Sequence, residues 1–174
     1  MKPVYIDIGS HDGRELQWAL ANGYEVHSFE PNPLMKEFLE PYESLATINY
    51  VACSNQDGFT KLFKRAPGDN SDQGVSIVPG KTNVDHDNWW TVPTIDTGKY
   101  LYELNKDIDI LKIDTEGAEF IIIESILDHF DHTRIKEWHV EDHWNRIDDN
   151  EWQRHRKAVL KRLEELNIEL IPWL

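Results

Sequence analysis

The feature that most constrains this chain is a recurring change of period. Short apolar runs, as in buried strands, alternate with stretches whose apolar residues fall on one helix face. The first unit is "VYIDIGSHDGRELQWAL", residues 4–20. Val4, Tyr5, Ile6 and Ile8 form the strand run, residues 9–13 the turn, and Leu16, Ala19 and Leu20 one side of the helix. The pattern predicts strands over 3–8, 25–29, 48–52, 59–63, 91–95, 108–113, 137–140 and 168–172. Helices are expected over 14–22, 33–45, 96–104 and 118–130, and from Asp148 or Asp149 to 166. Gly23 caps the first and Pro41 breaks or kinks the second. Residues 65–90 read as irregular, with a brief strand at "GVSIV" (74–78). Strands separated by helices need right-handed crossovers, so the expected fold is α/β, a mainly parallel sheet with helices on both faces. No repeat or linker divides the chain, so residues 1–174 read as one domain.

Composition narrows the class. The chain has 174 residues, 40% of them hydrophobic, which suffices for one sizeable core. Its formal charge of -14 repels phosphate backbones and argues against nucleic acid as a partner. No apolar run approaches the roughly 20 residues of a membrane span, and the N-terminus carries no secretory pattern. A single cysteine, Cys53, excludes an internal disulfide and fits a reducing, cytoplasmic setting.

In an open parallel sheet, ligands sit at the carboxyl ends of the strands. Gly9 and Gly13 lie at such an end, where glycine permits positive φ and close backbone approach. The same turn also occurs with no ligand. Glu30 ends the second strand about 20 residues further on, where a carboxylate can accept both hydroxyls of a ribose. The competing reading is an exposed carboxylate at a loop start. A nicotinamide site usually reads G-x-G-x-x-G and holds pyrophosphate at the helix N-terminus. Here the turn is "DIGSHDG", and Asp7 and Asp12 suit a ligand with a cationic amino group or sulfonium, such as S-adenosylmethionine (SAM).

Several blocks together resemble the FkbM family of SAM-dependent methyltransferases. They are "DIGSHDG" (7–13), "FEPNP" (29–33), "VACSNQDG" (51–58), "VPTID" (92–96) and "ILKIDTEGAE" (110–119). The resemblance implies a Rossmann-like class I fold and O-methylation, often of sugars or sugar-bearing metabolites. It implies that Asp7, Gly9 and Gly13, with His11 and Asp12 in the same loop, line the methionine end of SAM. Glu30 would hold the ribose, Asn32 and Ala52–Cys53 would lie near the adenine, and Asp114 would face the reaction centre. Class I sheets usually end in an antiparallel hairpin; after "IELIPWL" its last strand is expected to be missing. The unpaired edge then implies a second copy or a neighbouring domain.

Carboxylates cluster in the last third. Asp114 ends an apolar strand, with Glu116 and Glu119 just beyond; "KEWHVEDHW" ends the neighbouring strand in Glu141, Asp142 and His143. Converging carboxylates repel unless protonated or bridged by a cation. Asp114, Glu141 and Asp142 are therefore candidate ligands for Mg²⁺ or Mn²⁺, which would acidify an acceptor hydroxyl. Some sugar O-methyltransferases related in fold look similar, with one carboxylate after the fourth strand and a pair after the fifth. His143 and Glu116 are candidate bases. Against this, Glu116 and Glu119 suit a helix start, and Glu141–Asp142 suit solvent. In the 65–90 segment, Trp89 and Trp90 read either as sugar-stacking rings or as anchors, and Asp85, His86 and Asp87 as a second ligand set or a solvated turn. Trp144 and Trp152 are expected near the acceptor. Two rival readings stay open: a nicotinamide-dependent oxidoreductase, and a non-catalytic SAM-fold module.

Overall fold

The computed structural model describes residues 2–66 and 74–173. The first strand, β1 (Val4–Ile8), is buried at every position. That is the pattern of a parallel strand covered on both faces, and it explains why "VYIDI" reads as a continuous run. It leads through Gly13 into α1 (Arg14–Ala21), then β2 (Glu25–Phe29). The expected helix over 33–45 is a chain of short turns, with α2 only Lys36–Leu39 between two 3₁₀ segments, the second of which contains Pro41. The expected strand over 48–52 is two strands in different sheets, β3 (Thr47–Asn49) and β4 (Ala52–Ser54). Next come β5 (Gly58–Arg65), β6 (Val84–Asp96), α3 (Thr97–Leu104), β7 (Ile108–Ile113) and α4 (Glu119–His129). The chain continues through β8 (Ile135–Val140), α5 (Asn150–Glu165) and β9 (Leu170–Pro172).

Among the described residues, six strands form one sheet in the order β3-β2-β1-β7-β8-β9, every pair parallel. Counted along the sheet this is the Rossmann order 3-2-1-4-5-6, whose switch point falls between β1 and β7. Tyr5 and Val26 pack against Leu16, Ala19 and Leu39 on the α1–α2 face. Val4, Ile6, Ile8, Leu111 and Ile113 pack against Phe120, Ile123, Leu101 and Val159 on the α3–α5 face. Helices thus cover both faces, as expected. No described helix is long and apolar enough to cross a membrane. At this edge, where the last strand of the usual antiparallel hairpin is expected to be missing, β9 pairs parallel with β8, through Trp138–Leu170 to Val140–Pro172.

A second sheet, β4-β6-β5, joins a parallel and an antiparallel pair. Residues 84–90, expected to be irregular, are the first half of β6. The run Asp85–His86–Asp87–Asn88 hides the strand because its outward side chains are polar. Its pairing with β5, interrupted by one register shift after Phe63, supplies the missing order. Within "GVSIV", only Ser76 makes a strand-like bridge, to Phe63.

Candidate active site

A cleft of about 480 Å³ opens at the switch point. Its wall includes Gly9, His11, Asp12, Glu30, Asn32, Ala52, Cys53, Asp114, Glu116 and Glu141. Sequence reasoning had singled out all ten. Gly13, Asp7, Asp142 and His143 do not line it.

The turn after β1 is shaped by the fold before any ligand. Gly9 has φ +84°, and a Cβ there would stand 1.7 Å from the carbonyl oxygen of Asp114. Its glycine lets two strand ends meet. Gly13, in the left-handed region at φ +79°, caps α1 where a Cβ would press on Leu39. Asp7, expected at the ligand, is instead fully buried behind the loop. Its Oδ1 stands 3.2 Å from Lys112 Nζ, which also donates to the Gly9 carbonyl at 2.5 Å. The physical reason is register: Asp7 lies directly opposite Lys112 on the adjacent strand. Burial works to lower the Lys112 pKa, but the charges of Asp7 and Asp114 hold it above its usual value.

Glu30 is 5% exposed. Its Oε2 accepts from His11 N–H at 2.8 Å and its Oε1 from Asn32 N–H at 2.7 Å. Burial nevertheless outweighs these donors and pushes its pKa up to about 7. Asn32 caps the next turn through Leu34 N–H. Burial pushes the Cys53 thiol up to about 12, so it forms an inert part of the wall.

At the other carboxylates, five acidic side chains are sorted by their partners. Asp142 does not join Asp114. Its oxygens take Arg156 Nε at 3.1 and 3.0 Å, and Oδ1 also accepts from Trp144 N–H. Arg156 comes from α5, fourteen residues on, which no local pattern reveals. Glu116 has φ +60° and pairs with the buried Lys81 and with Arg146 at 3.2 Å. Burial raises its pKa, yet the Lys81 and His143 charges hold it below the usual range. Burial likewise lowers Lys81. Glu119 is buried and serves the fold: Oε1 accepts from Thr115 N–H, Gly117 N–H and His143 Nδ1 at 3.1, 2.9 and 3.0 Å.

Asp114, Glu141 and His143 remain, with one ligand atom from each lying within 4.8 Å of the others. Burial raises the Asp114 pKa to about 6, Lys112 opposing it and Glu141 adding to it. The His143 pKa is raised although burial lowers it, because Glu119, Glu116 and Asp114 surround the ring. His143, expected as a base, thus stands among carboxylates just behind the cleft wall.

The aromatic expectations divide. Trp152 is buried and donates to the Gly117 carbonyl, so it anchors the core. Trp144 is half exposed beside Arg156 and outside the cleft wall. Trp89 and Trp90 stack with Lys61 and Lys64 along β5–β6, also outside it. Asp85 accepts from Asp87 N–H and His86 packs on Phe63, and this part of β6 forms no metal-ligand cluster among the described residues. Strand alternation puts Lys112 on the face of Asp114, where a buried ion pair is expected, and the structure has Lys112 buried 3.8 Å from Asp114 and in the cleft wall. Sequence reasoning missed Arg146 and Trp173, which have no local signal because each reaches the wall through the packing of a different element.

This fold and cleft define a Rossmann-like α/β domain with a ligand cleft at its switch point, an anchored acid after its second strand and carboxylates after its fourth and fifth. The family comparison sharpens the class. Residues 7–170 match the methyltransferase FkbM domain, and the chain belongs to that family. Among solved structures, the methyltransferase FkbM from Methylobacillus flagellatus KT is similar at 14% identity and a TM-score of 0.46. That match covers 74% of this chain and 31% of the other, so this chain spans about a third of that protein. No curated protein gives a significant match.

Proposed function

We propose that this chain transfers the methyl group of SAM to a hydroxyl of a sugar or glycosylated metabolite, in the cytoplasm, with help from a divalent cation of the Mg²⁺ or Mn²⁺ kind. The observation that carries the reading is one cleft holding both an anchored acid, Glu30, and the Asp114–Glu141 carboxylates. Its volume falls in the range of small-ligand sites.

The residues present fit SAM. His11 and Asn32 N–H groups fix both Glu30 oxygens, whose remaining lone pairs face no other donor among the described residues and suit two ribose hydroxyls. Phe29, Ala52, Leu62 and Ile77 give apolar walls for a base. Asp12 and Asp114 favour a cationic group over a pyrophosphate, which argues against the nicotinamide reading. Bound SAM supplies an electrophilic methyl group on sulfur. In the balanced transfer, the acceptor gives up its O–H proton, an oxygen lone pair forms the new O–C bond, and the C–S pair stays on sulfur as a thioether. Asp114 and Glu141 are placed to hold the cation and orient the hydroxyl beside it, and the proton of that hydroxyl passes to solvent as the O–C bond forms. Trp173 lines the same cleft and offers a ring for a sugar face, with Arg146 as a donor to its hydroxyls.

Calorimetric titration with SAM in EDTA tests the cofactor, followed by a screen of sugar acceptors for turnover. Saturable SAM binding and methylated product are expected. A folded sample that binds NADH and not SAM sinks the proposal, and SAM binding with no turnover on any hydroxyl acceptor favours a non-catalytic module.

A further inference from the structure

We propose that His143 is a metal ligand, forming with Asp114 and Glu141 a mixed nitrogen–oxygen centre for a first-row transition cation such as Mn²⁺, Fe²⁺, Co²⁺ or Zn²⁺. The inference rests on the reading that this end of the cleft is where the acceptor reacts, and it replaces an all-oxygen set containing Asp142.

The partners of each side chain decide the ligand set. Asp142 is taken by Arg156, and Glu116 by Lys81 and Arg146. Glu119 is saturated on Oε1 by the 115–117 turn and by His143. The Asp114 and Glu141 carboxylates accept no hydrogen bond among the described residues, and the ammonium nearest Asp114 is Lys112 at 3.8 Å.

His143 is the independent observation. It is 3% exposed, far too buried for a surface histidine. Its Nδ1 is fixed by a carboxylate that is itself fully buried, so Nδ1 carries the proton and the ring cannot turn. That leaves Nε2 presented to Glu141 Oε1 at 3.2 Å, to Glu116 Oε2 at 3.4 Å and to Asp114 Oδ1 at 4.0 Å, and of these Glu116 Oε2 is already held by Lys81 and Arg146. A carboxylate that orients one ring nitrogen while the other faces a ligand set is the usual support for a metal-binding histidine. Bonds of about 2.1 Å place cis ligands about 3.0 Å apart and trans ligands about 4.2 Å apart. The Nε2–Glu141 separation is already near the cis value and the Nε2–Asp114 separation near the trans value, and all three ligand atoms lie within 4.8 Å of one another. Imidazole in the set selects against Mg²⁺ and Ca²⁺, which prefer oxygen alone. A cation there would neutralise the two carboxylates and acidify a hydroxyl that reaches it.

The test uses the full chain, stripped with EDTA and titrated calorimetrically with Mn²⁺, Co²⁺ and Mg²⁺, followed by pulsed EPR of bound Mn²⁺. One saturable site is expected, with Co²⁺ at least about tenfold tighter than Mg²⁺ and ¹⁴N coupling from one imidazole. Glu141→Gln, at a partly exposed position whose carboxylate accepts no hydrogen bond among the described residues, should weaken binding at least about tenfold. Asp142→Asn should leave metal affinity within about twofold. No saturable site in folded protein, a bound Mn²⁺ without nitrogen coupling, or an Asp142→Asn loss equal to that of Glu141→Gln would each overturn the proposal. SAM titration of the same stripped sample separates the two readings. SAM binding without a metal site removes this centre alone, whereas absence of SAM binding removes the function it serves.

Discussion

Glu30 carries the tension between fold and function at the scale of a single residue. Its folded pKa of about 7 lies above the ordinary 4.5, so folding favours the neutral form. The stability it contributes is full below about pH 4.5 and is lost as pH rises through about 7. Ribose hydroxyls donating to the carboxylate favour the ionised form. SAM affinity is therefore expected to strengthen between pH 6 and pH 8, and Glu30→Gln to weaken it about tenfold and flatten that dependence. Calorimetry at pH 6, 7 and 8 checks this; a pH-independent wild-type affinity would count against the ribose role. The glycines make a second contrast. Gly9→Ala forces a Cβ into a backbone carbonyl that cannot move aside, whereas Gly23, at φ +83°, has open space around it. Gly23→Ala should cost about 1 kcal/mol in urea unfolding. Gly9→Ala should cost several times that, enough to threaten a fold stable by about 5–15 kcal/mol. Equal losses at the two positions would refute the close-approach account. From sequence, Gly9 reads as a close-approach glycine at a ligand end and Gly23 as a helix cap; that Gly9 instead meets a backbone carbonyl is hidden, because that carbonyl is over a hundred residues away.

Among the elements, those with strong local signals match their expected places. β1, β2, β7, α3, α4 and α5 all lie within a few residues of the sequence reading. Asp96 shows why. It ends β6 and caps α3 by accepting from Lys99 N–H at 3.2 Å, a signal visible in the sequence. The structure adds that Asp96 also accepts from Ser125 Oγ at 2.7 Å, and that the same hydroxyl accepts from Gly98 N–H. One side chain thus clamps α3 to α4 where Gly98 permits contact with the Ser125 carbonyl. Asp96→Ala should lose about 2 kcal/mol, more than an ordinary cap, with an unchanged urea m-value. A loss below about 0.5 kcal/mol would show the clamp to be idle. The first half of β6 was illegible for the opposite reason: its outward residues are polar, and only pairing with β5 makes them a strand.

For the whole molecule, the decisive arrangement is a parallel sheet whose order reverses between β1 and β7, opening a cleft beside both strand ends. Saturating SAM at about 100 times its Kd should stabilise the fold by about 2.7 kcal/mol, raising Tm by about 5–10 °C. Differential scanning fluorimetry reads this directly, and an unchanged Tm at saturation would mean that SAM does not bind the native cleft. The sequence by itself determined the alternation of strands and helices, the turn after β1, the place of Glu30 at the end of β2 and the carboxylates after β7 and β8. These follow from hydrophobic period, glycine and capping chemistry, all of which act between near neighbours. Only the tertiary structure decided which acids face the cleft. Asp7 turns to Lys112 and Asp142 to Arg156, while Glu116 stays in the cleft wall paired with Lys81 and Arg146, and His143 turns its Nε2 toward Glu141, Glu116 and Asp114. A charge taken out of water is settled by whichever partner packing brings to it, and those partners lie on other elements, beyond the reach of any local pattern.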